Sequence, residues 1–251
     1  MQNFKICRIL VAAFLLLMLA SFAYAQESKI GNISFFIGRP QDVQIKHKSD
    51  KTWCNAGLKM TVRNADKIRT RAESRCEVKL LEGSVVRIGE NSEFEFTDAS
   101  VKKSSKKVKA RLKRGKIWSN ITRLRAKQEG FQIKTPTAVC AVRGTIYRID
   151  ADSSTKCLVY AGVVDVGPTS FWGQSQAGKS KSLKPVEVPG PYEIPPPYEV
   201  SLEEWVRIVK GFQIVVRPDG KFAKSRFDKA QDAKLDWVRW NKQRDLALKR
   251  N

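Results

Sequence analysis

The feature that most constrains this chain is a β-rich stretch from Phe131 to Val166, FQIKTPTAVCAVRGTIYRIDADSSTKCLVYAGVVDV. It is the densest run of apolar and β-branched residues after the N-terminus, and such residues fit the pleated, half-buried surface of a sheet. Residues 145–150 and 156–160 flank a polar turn and therefore predict a hairpin. Both faces of this hairpin carry apolar side chains, so we expect it to be covered on both sides.

The N-terminus predicts a secretory signal peptide over residues 1–25. Lys5 and Arg8 precede the uncharged run Ile9–Ala20, and Ala23–Ala25 forms a small-x-small cleavage site before Gln26. We therefore expect a periplasmic or secreted protein. The alternative is a retained anchor, because the 17 residues from position 9 to position 25 approach the shortest length that spans a bilayer.

The chain is strongly basic, with 47 Lys and Arg against 25 Asp and Glu and a formal net charge of +22. Such a charge attracts polyanions, including anionic lipid and acidic envelope polymers. Cations concentrate in a candidate polyanion patch formed by Lys102, Lys103, Lys106, Lys107, Lys109, Arg111, Lys113 and Arg114. Few aromatic residues interleave with them, so stacking on nucleic-acid bases is not indicated and we expect no specific nucleic-acid partner.

Four cysteines follow the predicted signal peptide. An even number in an exported chain favours disulfides, and four cysteines allow three connectivities. Proximity in the sequence favours pairs between Cys140 and Cys157 and between Cys54 and Cys76. The alternative is four buried free thiols. The C-x2-C spacing of a zinc site is absent from the sequence, so we expect no metal.

The C-terminal quarter of the sequence has a different pattern. Residues 168–200 are rich in Gly and Ser and then in Pro, which is typical of an extended linker after a β domain at residues 26–167. Residues 201–251 predict a helix-strand-helix extension, with a first helix from Ser201 to Gly211. The second helix, residues 225–250, is expected to dock on the β domain through Phe227, Leu235, Trp237, Val238 and Trp240, or else to contact a membrane surface peripherally.

The sequence contains no recognisable catalytic constellation. It lacks the G-x-S-x-G, phosphate-loop and dinucleotide-binding motifs, and we expect neither catalytic residues nor a cofactor. The single histidine, His47, lies between two lysines and is expected to be a solvated surface residue. Glycine at position 144 within a strand pattern predicts a bulge or a close backbone approach.

The central stretch resembles a FecR domain. The matching elements are Phe131, Thr135-Pro136, Val142-Arg143-Gly144-Thr145 and Tyr147, and upstream Asp66-Lys67-Ile68-Arg69-Thr70 and Leu81-Glu82-Gly83-Ser84-Val85-Val86-Arg87. The resemblance covers residues 30–167. It implies a mainly β, extracytoplasmic domain of stacked short strands, either a β-solenoid or a flattened sandwich. FecR-like regulators place a sigma-factor-binding segment and a transmembrane helix before this domain, and here we expect an exported module without them.

These features predict a non-enzymatic module that binds a partner protein or a cell-envelope polymer, with a role in envelope signalling. The alternative is a secreted polyanion-binding protein that acts through its basic surface. An enzyme of unrecognised type is the third hypothesis, and it requires a concave pocket with at least two perturbed ionisable groups. We expect Arg143 to serve the structure, through a buried carboxylate or backbone carbonyls beside Gly144.

Overall fold

One long strand passes through both sheets of this protein. The computed structural model describes residues 28–102, 105–123, 128–172 and 200–248, which contain 18 strands and two α-helices. The strands are β1 (Lys29–Ile37), β2 (Val43–Lys46), β3 (Cys54–Asn55), β4 (Thr61–Arg63), β5 (Lys67–Thr70), β6 (Arg75–Leu80), β7 (Val85–Ile88), β8 (Glu93–Lys102), β9 (Ser105–Asn120), β10 (Gln128–Lys134), β11 (Val139–Val142), β12 (Ile146–Ala151), β13 (Thr155–Ala161), β14 (Val163–Gly167), β15 (Val200–Ser201), β16 (Val206–Val209), β17 (Phe212–Val216) and β18 (Lys221–Arg226). The helices are α1 (Lys229–Lys234) and α2 (Asp236–Leu248). The mainly β fold is as predicted.

Strand β9 is the long strand that joins the two sheets. Its first part pairs with β8 and, in parallel, with β10 in sheet B, whereas its last part pairs with β7 and β12 in sheet A. The change of sheet occurs at Gly115, which has a φ of +93°. A Cβ atom at this position would lie 2.5 Å from the Cα of Ser92, so a side chain does not fit.

The two sheets enclose one hydrophobic core. Sheet A runs in the order β4-β1-β6-β7-β9-β12-β13-β17-β18-β15, and sheet B in the order β3-β2-β5-β8-β9-β10-β11-β14-β16. Ile33 and Val78 of sheet A share this core with Ile45 and Phe94 of sheet B, and all four are fully buried. Two facing sheets with mostly antiparallel pairing correspond to the flattened sandwich rather than the solenoid.

The hairpin predicted in the central stretch is confirmed. Strands β12 and β13 pair in antiparallel register from Ile146–Ala161 to Ala151–Thr155, with an irregularity after Ile146. The close backbone approach expected at Gly144 is also present, because its carbonyl oxygen would lie 2.6 Å from a Cβ at Gly162, and Gly144 itself has a φ of +61°. Thr145 ties this turn to β14 by donating a 2.7 Å hydrogen bond to the carbonyl of Val163.

The helix predicted from Ser201 to Gly211 is wrong. Val206–Val209 forms strand β16, which pairs with β14 and extends sheet B. The β-branched run VRIV meets the edge of an existing sheet there, and tertiary pairing overrides the helical spacing of the apolar residues. The next strand, Phe212–Val216, is confirmed and pairs with β13, so this part of the predicted extension belongs to the sandwich.

The second predicted helix begins later than the sequence suggests. Residues 221–226 form β18, which returns along β17 after the turn at Pro218-Asp219-Gly220. Asp228 then caps α1 by accepting hydrogen bonds from the backbone amides of Ala230 and Gln231. A break at Leu235 separates α1 from α2.

Some predictions concern residues outside the described ranges. These are the signal peptide at residues 1–25 and nearly all of the linker at residues 168–200, of which residues 168–172 include a short 3-10 turn. Among the residues that the structure describes, no helix is long and apolar enough to cross a membrane.

Candidate anion-binding site

The outer face of sheet B carries a row of cations, which we call the basic face. Alternation along β9 points Val108, Ala110 and Leu112 into the core, and the intervening cations therefore point outward. The parallel register between β9 and β10 places Lys134 beside Arg111. The basic face consists of Lys107, Lys109, Arg111 and Lys113 of β9 and Lys134 of β10.

Acidic residues of β8 neutralise only part of this face. The Nζ of Lys113 lies 2.6 Å from a carboxylate oxygen of Glu93, and that of Lys109 lies 3.7 Å from Asp98. Both pairs are partly exposed, so each contributes little to stability. Arg111 and Lys134 form no ion pair with any residue in the described part of the chain. A positive charge therefore remains where these two side chains meet.

A groove of about 320 Å³ lies at this point of the basic face. Its lining consists of Arg111, Leu112, Lys113, Lys134, Thr135, Pro136 and Thr169. This volume is at the small end of the range for ligand sites in proteins. The Thr135-Pro136 step forms part of the wall, and the Thr135 hydroxyl is held by Ala138 and Thr155 at 3.0 and 2.6 Å. The groove can take an anionic group between Arg111 and Lys134.

The remaining residues of the predicted polyanion patch have different positions. Arg114 is exposed beside Gly115, where β9 leaves sheet B. Lys103 lies outside the described residues, and so do the side chains of Lys102 and Lys106. The structure thus places four of the eight predicted cations on one face, and polyanion binding by this face stays a prediction.

The motif residues around position 143 build a turn rather than a pocket. Val142 and Thr145 are buried, whereas Arg143 is exposed. The buried arginines of the domain are instead Arg87 and Arg148. Thr145 provides the internal hydrogen bonds of this turn, including one of 3.2 Å to the Arg143 carbonyl.

Arg87 and Arg148 belong to a buried ionic network that the sequence did not reveal. Register pairing aligns Glu77, Arg87, Trp118 and Arg148 across the outer face of sheet A. The C-terminal helices cover this row, and we call them the helical cover (residues 227–248). The only signal in the sequence was Arg87 at the end of one FecR-like motif.

Each charge in the row has a partner in the helical cover. Arg87 donates to Asp245 at 2.7 Å and also to Glu77 of the neighbouring strand at 2.6 Å. The second oxygen of Asp245 accepts a 2.9 Å hydrogen bond from the indole of Trp118. Arg148 donates to Asp232 at 2.8 Å. Arg244 in turn donates to Glu77 through two hydrogen bonds of 2.8 and 2.9 Å.

These contacts fix the charge state of Glu77. Burial alone would raise the pKa of its carboxyl, but hydrogen bonds from Arg244 and Arg87 outweigh that effect and hold the pKa at about 2. Glu77 is therefore ionised throughout the neutral and mildly acidic range, where it stabilises the contact between sheet A and the helical cover.

The helical cover docks on the β domain, largely as predicted. Trp237 and Val238 are buried against Trp118, and Phe227 packs edge-on against Tyr160 with ring centroids 5.4 Å apart. Leu235 is the exception, because it is 49% exposed. The buried apolar residues of the cover thus face sheet A rather than a membrane.

The four cysteines that the structure describes are free thiols, so neither predicted disulfide is present. The Cys54–Cys76 pair is wrong because Cys54 is exposed on β3 of sheet B, whereas Cys76 is buried in β6 of sheet A. Burial raises the pKa of Cys76 to about 12. Cys140 and Cys157 are both fully buried in the core, and a hydrogen bond between them, together with burial, raises the pKa of Cys157.

His47 is not the solvated residue that its lysine neighbours suggest. Its Nδ1 lies 2.9 Å from both carboxylate oxygens of Asp66, and the Asp66 side chain is fully buried. Pairing of β2 with β5 brings these two residues together. Within the ranges that the structure describes, no three His, Cys, Asp or Glu residues form a cluster able to hold a metal ion.

Comparison with known proteins is consistent with the motifs in the central stretch. Two crystal structures of a candidate anti-sigma factor from Parabacteroides distasonis are similar to this chain, with 17% and 18% identity and a TM-score of 0.45 for each. The similarity covers 66% of this chain and 62% of those chains, so it spans less than two thirds of their length. No curated protein matches the chain. Residues 66–165 match the family described as FecR protein, which confirms the resemblance to a FecR domain predicted from the motifs.

Proposed function

We propose that this protein is a non-enzymatic binding module of the cell envelope, and that its basic face binds an anionic envelope polymer. The observation that carries the proposal is the pair Arg111 and Lys134, adjacent in the β9–β10 register, without ion-pair partners in the described part of the chain, and lining one groove. Two such cations attract a phosphate, sulfate or carboxylate group.

The geometry of the basic face favours a polymer over an isolated small anion. Side chains on one face of a strand recur about every 7 Å, and β9 presents four cations at this spacing. A chain of repeated anionic groups can contact several of them at once and release counterions as it binds. The net charge of +22 adds attraction at longer range.

The proposal is tested by removing the two unpaired cations. Binding of heparin and of polygalacturonate, as sulfated and carboxylated probes, is measured for the natural chain and for Arg111→Gln/Lys134→Gln. We expect the affinity of the double variant to fall at least tenfold and its salt slope to fall by about two, one for each lost cation.

A matched variant distinguishes binding at the groove from attraction by the net charge of the protein. Lys79→Gln/Arg239→Gln also removes one lysine and one arginine, both exposed and both outside sheet B. We expect this control to lose less than threefold in affinity. An equal loss in the two double variants would show that binding depends on net charge and not on the basic face.

A second candidate function follows from the family match at residues 66–165. We propose as the alternative that the ligand is an envelope protein in a signalling pathway. Capture of partners from an envelope extract at increasing salt distinguishes the two, because polymer binding weakens steeply with salt and an apolar protein interface does not. A protein retained at 0.5 M salt would favour the alternative.

A further inference from the structure

The helical cover is a separate unit from the core of the sandwich. The main hydrophobic core runs from Ile30 to Val216 and contains no residue of the two helices. The buried apolar residues of α2 form their own small cluster with Trp118, which lies on the outer face of sheet A. Removing the cover would therefore leave the space between the two sheets filled.

Charged contacts dominate the docking of the cover. Four carboxylate–guanidinium pairs join it to sheet A, namely Arg87–Asp245, Arg148–Asp232, Arg244–Glu77 and Arg75–Asp236. The fully buried apolar residues of α2 are Trp237 and Val238, and Trp240 is half-buried beside them. Interfaces of such polar character are typical of contacts that form and dissociate, whereas permanent ones resemble a hydrophobic core.

The cover also leaves polar atoms unsatisfied. The Nη2 atom of Arg87 and the indole nitrogen of Trp237 are buried and have no hydrogen-bond partner among the described residues. An unsatisfied buried donor is costly, because it has lost its contact with water. A partner helix that supplied an acceptor to Arg87 would satisfy this donor and would not carry the unsatisfied indole of Trp237, so it would bind the same surface more tightly than the cover does.

The charge and the aromatic residues of the surface beneath the cover determine which other helices could bind there. It presents the guanidinium groups of Arg75, Arg87 and Arg148 against the two carboxylates of Glu77 and Asp150, so these five groups carry a net positive charge. Three aromatic side chains lie among these charges, namely Phe35, Trp118 and Tyr160. The complement of such a surface is an amphipathic helix that carries carboxylates and aromatic residues, as the cover itself does.

We propose that the outer face of sheet A is a docking site for an amphipathic helix of a partner protein, and that the docking face of this helix carries carboxylates and aromatic residues. The helical cover occupies this site in cis and competes with the partner. This docking site lies on the outer face of sheet A, whereas the basic face is the outer face of sheet B. The proposal therefore does not depend on the function proposed for the basic face.

The test uses the chain from residue 26 to residue 251 and a fluorescent peptide with the sequence of residues 227–248 as the probe. In the natural chain the cis cover competes with the peptide. Asp245→Asn removes the charge that pairs with Arg87, so it should release the cover and raise the affinity for the peptide at least tenfold. The gain should be accompanied by faster amide hydrogen exchange in α2, with unchanged exchange in β9 and β12.

Two controls define the specificity of this result. Asp152→Asn removes the same charge from an exposed hairpin turn and should leave peptide binding unchanged. A peptide with both Asp232→Asn and Asp245→Asn should bind the released variant at least tenfold more weakly than the unchanged peptide, because it lacks the carboxylates that the arginines require.

Three outcomes would overturn the proposal. One is an Asp245→Asn variant in which α2 and the two sheets unfold together in a single transition, because the cover would then be part of the sandwich. Another is rapid exchange in α2 without binding of the peptide. The third is a concentration-dependent dimer of the variant that excludes the peptide, which would make a second copy of this chain the occupant.

Discussion

Arg87 donates a 2.7 Å hydrogen bond to Asp245, although the two residues are 158 positions apart in the chain. The second carboxylate oxygen of Asp245 is held by Trp118, the cross-strand neighbour of Arg87. Two donors on adjacent strands thus define both the position and the orientation of one carboxylate. This arrangement anchors α2 at one place on sheet A.

Loss of the Arg87 guanidinium should weaken the helical cover. Arg87→Met keeps much of the side-chain volume but leaves Asp245 with Trp118 as its remaining strong donor. Removing one partner from a buried ion pair costs about 3–5 kcal/mol. We expect a loss of this size in the free energy of opening of α2, measured by native-state hydrogen exchange. The double variant Arg87→Met/Asp245→Asn should recover part of it, and a purely additive loss would contradict this explanation.

Acid should also release the cover, through Glu77. Because the folded pKa of Glu77 is about 2, below its ordinary value of 4.5, the contact is fully stabilising above pH 4.5 and weakens as the pH falls towards 2. Of the groups that lower this pKa, only Arg244 belongs to the cover, because Arg87 and Ser34 lie in sheet A. Acid should therefore weaken the docking by less than the roughly 3 kcal/mol that the full shift represents.

Hydrogen exchange of α2 between pH 5 and pH 2.5 measures this effect, after correction for the intrinsic exchange rates. Glu77→Gln has no charge to lose, so its opening free energy should vary much less over the same range. Parallel pH profiles for the two proteins would exclude Glu77 as the titrating group.

A side chain at position 115 should destabilise both sheets. In Gly115→Ala the new Cβ would lie 2.5 Å from the Cα of Ser92, on a backbone with φ of +93°. We expect a loss of more than 3 kcal/mol in the free energy of unfolding, from steric overlap in addition to backbone strain. Urea denaturation measures it.

Gly220→Ala is the matched control for this substitution. Its φ of +79° is similarly unfavourable for alanine, but no heavy atom lies within 4 Å of the added Cβ. It should therefore cost only about 1–2 kcal/mol, which is the backbone contribution alone. Equal costs at the two glycines would show that the close approach of Ser92 is unimportant.

The four cysteines of residues 26–251 should differ in reactivity. Cys54 is exposed, whereas Cys76, Cys140 and Cys157 are buried. A thiol reacts as the thiolate, and burial raises the pKa of Cys76 to about 12. Titration with a thiol reagent at pH 7.5 should label one cysteine in the folded protein and four in denaturant. Cys54→Ser should remove the fast reaction, and a remaining fast thiol would contradict the assignment.

The parts of the fold that the sequence predicted are those set by local pattern. The β12–β13 hairpin is encoded by alternating side chains around a polar turn, and the whole hairpin, from Ile146 to Ala161, spans only 16 residues. The segment at Val206–Val209 was mispredicted because its apolar residues also fit a helical repeat. What decides its structure is the exposed edge of β14, which is not visible in the sequence of that segment.

The sites were harder to predict because they depend on pairs of charges that are distant in the chain. The spacing of residues around Arg87 gives no indication of Asp245. The lysines beside His47 suggested that it contacts solvent, but Asp66, the residue before β5, lies next to it instead. For the basic face, the run of cations was visible in the sequence. The contribution of Lys134 was not, because it depends on the parallel register between β9 and β10.

The separation of Arg87 from Asp245 has a consequence for synthesis. A ribosome releases the chain from its N-terminus at roughly 5–20 residues per second. Arg87 and Glu77 therefore emerge many seconds before Asp245, and at this stage Arg87 can form its ion pair only with Glu77. Until residues 227–248 have also been synthesised, the cover cannot occupy the arginine and tryptophan row of sheet A.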